Sequence, residues 1–248
     1  MDWEILDTGV NSASENMRAD ALMLEGIERF SKPILHLYEW KGMCATYGYF
    51  LDPDKVLNLN GIKEAGIDLA RRPTGGGCVF HFWDMAFSVL VPATCPEFSQ
   101  NTLENYAFVN GAVLEAVKEF LGTSLPLSLT PVDLAALDGC CHHFCMAKPT
   151  KYDVMWEGKK IAGAAQRKTK KGFLHQGTIA LGLPKQELLS KILLPGTEVA
   201  AAMQAHTFSL LGEDPSEVEI QKAKEQLRAL LATHLCGASD KIAIKSNL

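Results

Sequence analysis

No apolar stretch of the 248-residue chain is long enough to cross a bilayer. Runs such as Met85 to Pro92 and Glu198 to Met203 fall far short of the ~20 residues that a spanning helix needs. The start, Met1-Asp2-Trp3-Glu4, has neither a basic cluster nor an apolar segment, so no secretory signal is expected and the expected address is cytoplasmic. Seven cysteines, an odd and scattered number, do not make a disulfide framework in a chain of this length, and reduced thiols are expected. Positive charge is not in excess: 24 basic against 29 acidic residues leave −5, which argues against general affinity for nucleic acid. A Gly-x-x-x-x-Gly-Lys-Ser/Thr run is missing, and the triplet Gly75-Gly76-Gly77 does not open a helix, so conventional ATP and dinucleotide folds are unsupported. Repeats, low-complexity tracts and linkers are also absent. With 47% apolar residues the chain suffices for one large domain over 1–248, of which 184–248 reads as a helical C-terminal extension.

Local signals order the elements. A short strand is predicted at Trp3 to Asp7, and Ser12-Ala13-Ser14-Glu15 matches a capping box opening a helix to about Phe30, with Met17, Ala21, Leu24 and Ile27 on one stripe. Strands follow at Ile34 to Tyr38 and Cys44 to Tyr49. Asp52-Pro53 starts a short helix ending around Gly61. Further strands, at Ile67 to Arg72, Cys78 to Phe82 and Met85 to Val91, surround the glycine triplet. Thr102 to Leu121 is the clearest helix, stopped by Gly122, with Leu103, Tyr106, Ala107, Val109, Val113, Leu114 and Val117 as its expected buried face. After an irregular excursion, Ser124 to Asp138, strands at Lys151 to Trp156 and Lys159 to Gln166 flank the hairpin signal Glu157-Gly158, and Phe173 to Leu181 gives a third. A capping box from Ser216 to Glu219 opens a last helix reaching about Leu235 before Gly237. The pattern predicts an α/β (α+β) domain around a mixed, largely antiparallel sheet with flanking helices.

Two stretches carry the chemistry. Arg71-Arg72-Pro73-Thr74-Gly75-Gly76-Gly77-Cys78-Val79-Phe80-His81 places three bare glycines between β-prone runs, so a ligand can lie against backbone N–H groups. Lys159-Lys160-Ile161-Ala162-Gly163-Ala164-Ala165-Gln166-Arg167 brings a lysine to a strand end. The cluster Cys140-Cys141-His142-His143-Phe144-Cys145 offers metal-binding side chains, but adjacent pairs rarely point at one ion, so no metal is assigned. Residues 159–171 hold six basic side chains and no acid, which is either a solvated hairpin tip or a docking surface for an acidic carrier protein.

Together with Asn16-Met17-Arg18-Ala19-Asp20, Tyr38-Glu39-Trp40 and Gly172-Phe173-Leu174-His175-Gln176-Gly177-Thr178, these stretches resemble the lipoate-protein ligase and octanoyltransferase family, whose catalytic domain is related to biotin-protein ligase. The likeness spans nearly the whole chain and implies that fold. In its cysteine-dependent octanoyltransferase branch a Cys-x-x-x-Pro-Ser/Thr run precedes the motif lysine by fifteen residues, the spacing between Cys145 and Lys160 here. That resemblance implies octanoyl or lipoyl transfer to a lysine of lipoyl domains in 2-oxoacid dehydrogenase or glycine-cleavage proteins. The donor would be acyl carrier protein, and no cofactor is required.

Cys145 would carry the acyl group as a thioester, and the Lys160 ammonium would favour its thiolate. Arg72, Thr74, Gly75, Gly76 and Gly77 would meet the ligand; Gly163, Ala164, Gln166 and Gly177 belong to the same motifs. His81 and His175 would line the pocket or serve as satisfied structural histidines. An ordinary buried thiol is the plain alternative for Cys145, and a surface amine for Lys160. Two other functions stay open. One is an ATP- and Mg-dependent lipoate ligase acting through lipoyl-AMP, favoured by Gln176 where the family tends to place histidine, Thr74 in place of serine, and the Gln166-Arg167-Lys168 run. The other is a non-catalytic homologue that only binds lipoyl domains.

Overall fold

Strands dominate the centre of the protein, and helices cover both of their faces. The structure, a computed structural model, describes residues 2–122, 125–133 and 135–237. The chain opens with β1 (Glu4–Asn11), α1 (Ala13–Glu25) and β2 (Ile34–Trp40), followed by β3 (Cys44–Tyr47), α2 (Leu59–Glu64), β4 (Asp68–Arg71) and β5 (Val79–His81). Next come β6 (Asp84–Pro92), α3 (Thr102–Leu121), the short β7 (Ser128–Leu129), β8 (Val154–Trp156), β9 (Lys159–Thr169) and β10 (Gly172–Ala180). The helices α4 (Gln186–Ile192), α5 (Val199–His206) and α6 (Glu217–Cys236) complete the described residues. None of these helices is long and apolar enough to cross a membrane.

One sheet runs in the order β1-β2-β6-β10-β9-β8-β7, and a smaller one β4-β3-β5. Only β1/β2 and β3/β4 pair in parallel, so the architecture is the mixed, largely antiparallel one expected. Every residue of β6 and β10 is buried, which requires cover on both faces. The period of two in β6 assigns that cover: Phe87, Val89 and Val91 pack in the cluster that holds the apolar faces of α3 and α6, while Leu90 joins Met23, Leu24 and Ile27. A separate apolar cluster joins the small sheet to α2, α4 and α5.

Both capping boxes form, at Ser12 and at Ser216, and Gly122 and Gly237 end their helices in the left-handed region. Glu157 and Gly158 turn with φ of 47° and 77°, the two positive values a two-residue hairpin asks for.

Several boundaries differ from expectation for local reasons. α1 stops at Glu25, and Ile27 stays buried from a separate 3-10 turn after Gly26. The segment after Asp52 splits into a 3-10 turn and α2, which Asn58 caps. Gly61 therefore lies inside α2 and ends nothing; a Cβ there would sit 1.9 Å from the Lys191 carbonyl oxygen, so glycine permits close approach of two chain segments. Leu103 of α3 is 43% exposed, and Asn105 and Asn110 take inward positions, bonded to the Ser99 and Tyr152 backbones. β8 begins only at Val154, because Asp153 Oδ2 accepts from the Thr150 N–H and hydroxyl and closes a turn in which Tyr152 has φ +68°. Strand β7 interrupts the excursion expected to be irregular, of which Ser124 and Leu134 lie outside the described residues. Of the expected C-terminal extension, 238–248 also lie outside them.

Candidate active site

Cys145 is held by backbone pairing. Its N–H donates to the Cys78 carbonyl at 3.0 Å, and the Cys78 N–H to the His143 carbonyl at 2.6 Å, so the cysteine segment runs along the end of the glycine loop. Gly77 makes that approach possible, since a Cβ there would lie 2.2 Å from the His143 oxygen. Gly48 does the same against Gly76, where a Cβ would lie 2.0 Å from the carbonyl oxygen. The bare loop thus serves chain-to-chain packing, and only Gly75 has open space on its side-chain face. Gly76 adopts φ +87°, and a Cβ on it would face the Arg72 guanidinium and the Cys145 thiol.

Arg72 faces the sulfur, its Nη2 3.6 Å from Cys145 Sγ. Arg72 is 4% exposed, and its other acceptors are neutral: the Gly75 and Gly77 carbonyls and the backbone and hydroxyl oxygens of Thr46. No carboxylate pairs with it among the described residues. A buried guanidinium without a counter-ion is costly, and a thiolate at Cys145 would supply one.

Lys160 turns its ammonium to oxygen acceptors. Its Nζ donates to the Cys145 carbonyl oxygen and to Asp153 Oδ2, both at 2.8 Å, with each charged side chain almost fully buried. Gly163 leaves room for this fold-back, because a Cβ there would lie 2.2 Å from Lys160 Cε and 2.7 Å from Asp153 Oδ1.

Two buried carboxylates anchor the surroundings. Asp84 accepts from His81 Nδ1 and from the Thr178 hydroxyl; His81 Nε2 accepts from Thr46 Oγ1, which in turn accepts from Arg72. This hydrogen-bond pattern assigns the His81 tautomer and holds the guanidinium in place. Trp40 stacks on the His81 ring at 4.1 Å. Asp20 accepts from His36, Ser88 and Gln176, and Gln176 Oε1 accepts from the Thr74 hydroxyl, which ties the glycine loop to α1 and β10.

Two cavities meet at Cys145. The inner one spans about 410 Å³, its open mouth included, between Met17, Tyr38, Trp40, Val79 and His81. The outer is a wider cleft of about 960 Å³ bounded by the glycine loop, Tyr106, Lys148, Lys151 and Gln166. Cys145, Lys160, Ala164 and Ala165 line both.

A family model for the lipoyl protein ligase A/B catalytic domain matches residues 12–232. The chain belongs to the lipoyl protein ligase A/B family. Similar curated proteins carry the name octanoyltransferase LipM. The one from Lysinibacillus sphaericus is 31% identical over 226 residues, covering 88% of this chain and 82% of the relative. That of Bacillus subtilis is 29% identical over 204 residues, covering 82% and 73%. Among solved structures, a lipoate-protein ligase A bound with ATP superposes with TM-score 0.71 at 21% identity, covering 100% of this chain and 89% of that one. A bi-partite archaeal lipoate protein ligase from Thermoplasma acidophilum gives 0.65 at 24%, covering 100% and 87%. These likenesses show the lipoyl-ligase fold.

Within this lipoyl ligase domain, Cys145, Lys160, Arg72, His81, Gly163, Ala164 and Gly177 border the inner cavity, and Gly75, Gly76, Gly77 and Gln166 the outer cleft. Thr74 and His175 border neither. His175 is fully buried behind Gln166 and Tyr106, and burial pushes its pKa down to about 3. Burial also pushes the Tyr106 phenol up to about 12. The basic stretch 159–171 divides: Lys160 is interior, Arg167 donates to the Pro73 carbonyl and lies over Tyr49, Lys168 meets Gln100, and Lys171 pairs with Glu28. Asp153 and Thr46 were not foreseen. Asp153 carried one usable signal, since a lysine in an apolar strand demands a carboxylate nearby.

Proposed function

We propose that the protein is an acyltransferase that moves an octanoyl group from an acyl carrier protein, through a thioester on Cys145, to a lysine of a lipoyl domain. The uncompensated Arg72 guanidinium 3.6 Å from Cys145 Sγ carries this reading. It stabilises the thiolate, and the thiolate attacks the donor's thioester carbon. The carrier's thiol leaves with a proton, and the acyl chain lies in the inner cavity. Lys160 spends two N–H donors on Cys145 and Asp153; the third is free to steady the oxyanion, because the side chain borders both cavities. The N–H of Cys145 is already taken by Cys78 and takes no part. In the second half-reaction the lipoyl-domain amine attacks the thioester from the outer cleft. An amide forms, the Cys145–acyl bond breaks, and the amine's proton passes to the departing sulfur.

No step needs ATP. Intact-mass analysis after mixing the protein with octanoyl carrier protein should show an adduct on the wild type and none on Cys145→Ala. Absence of the adduct, with ATP-dependent turnover of free lipoate, would give the protein to the ligase reaction instead.

A further inference from the structure

A third cavity of about 340 Å³, its mouth included, adjoins the inner one and is lined by Phe80, Trp83, Met146, Ala180 and Met203. It does not reach Cys145 or Lys160, and the chemistry described above makes no use of it. The two cavities share two residues, Val79 of β5 and Thr178 of β10, which are 8% and 7% exposed and form the partition between them. Neither is free to swing aside. Val79 sits in a strand whose preceding residue, Cys78, pairs with Cys145, and the Thr178 hydroxyl is bound to Asp84.

Resting on the acyl-transfer reading, we propose that Val79 and Thr178 set the upper limit of acyl-chain length by closing the inner cavity against the third. An apolar tail tethered at Cys145 fills the inner cavity and meets this partition where the two spaces adjoin. A longer tail has to bend back or displace a packed strand side chain, and both raise the barrier to acylation. Beyond the partition the third cavity is lined mostly by apolar side chains, so a tail that passed would find further cover. Asp84 also lines that space, and its Oδ1 has no hydrogen-bond partner among the described residues, an added disadvantage for a hydrocarbon entering it.

The test is the rate of Cys145 acylation by acyl-pantetheine thioesters of increasing chain length, followed by intact mass. The wild type should slow sharply beyond its preferred length. Val79→Ala removes two methyl groups from the partition, and each further methylene admitted is worth roughly fourfold in rate, so the ratio for a chain two carbons longer should rise about fifteenfold. Thr178→Ser, which keeps the hydroxyl for Asp84 and loses one methyl, should shift it the same way by less and stands in if the valine variant does not fold. Adding Ala180→Val to Val79→Ala narrows the third cavity alone and should cancel the gain while acylation by the shorter chain persists. Unchanged length profiles in both single variants, or a gain that survives the filler, overturn the proposal with acyl transfer intact. A wild type that no thioester acylates removes the transfer reading itself, and the partition's role with it.

Discussion

Replacing Arg72 by glutamine removes the buried charge beside Cys145 while leaving a side chain able to hydrogen-bond the Gly75 and Gly77 carbonyls in part. A hydrogen bond to a charged group contributes about 1.5–3 kcal/mol. If Arg72 holds the thiolate, its loss should slow Cys145 alkylation and acylation by about ten- to a hundredfold at neutral pH. Arg72→Lys keeps the charge but presents it as a point on a flexible stem, which cannot span four acceptors and the sulfur, and should recover only part of the rate. The assay is the second-order rate of iodoacetamide capture at Cys145, resolved by peptide mass and read beside a thermal melt. Loosening of the glycine loop would uncover the thiol and raise the rate, so the sign alone separates the two effects. A folded Arg72→Gln protein alkylated at the wild-type rate would refute the pairing.

Gly163→Ala places a methyl within 2.2 Å of Lys160 Cε; the lysine can swing away only by leaving Asp153 buried and alone, so chemical denaturation should show a loss of about 3 kcal/mol together with slower acylation. Stability within about 1 kcal/mol of wild type would mean that the lysine finds another seat. The His175 ring stays neutral in the folded protein down to about pH 3, whereas the unfolded chain protonates it near 6.5. The unfolded state therefore binds the extra proton, and stability should fall by about 1.4 kcal/mol per pH unit as pH drops from about 6 toward 3, a slope that His175→Gln should remove. Burial pushes the thiols of Cys44 and Cys141 up to about 11 and those of Cys78 and Cys236 to about 12. Alkylation at pH 8 should then reach the half-buried Cys140 and Cys145 first, and Cys140→Ser should remove one of those two labels without touching activity.

What the chain disclosed in advance follows from the range of the interaction involved. The Ser12 and Ser216 boxes, the stops at Gly122 and Gly237 and the Glu157-Gly158 turn are settled within four residues, and each formed where it was expected. The wrong ends, at Gly26, at Gly61 and before Val154, were decided by partners far along the chain or by a side-chain turn that competes with a strand. The glycine triplet was legible as a place needing bare backbone, but its packing against His143 at Gly77 was not. Arg72 and Cys145 are 73 residues apart, and no periodicity joins them; only the Cys78–Phe144 bridge brings the thiol under the guanidinium.

The meeting of an apolar cavity and a wider, more polar cleft at one sulfur bears on how a single site could serve two carriers. In a ping-pong route the acyl chain stays while its protein carriers exchange. Burying six methylenes at ~0.8 kcal/mol each contributes about 5 kcal/mol that is common to both half-reactions. Selectivity for the cargo can thus reside in the inner cavity, where Met17, Tyr38, Trp40 and Val79 give apolar walls. The cleft, with Lys148 and Lys151 on its border, has only to admit an arm and then a lysine from whichever carrier is docked, so weak and reversible contacts suffice there. Tight binding of either carrier would oppose turnover, because its departure must precede the arrival of the other. An apolar lining for the tail and a wide cleft for the carriers are therefore one requirement, and Cys145 stands on the wall where the two spaces touch.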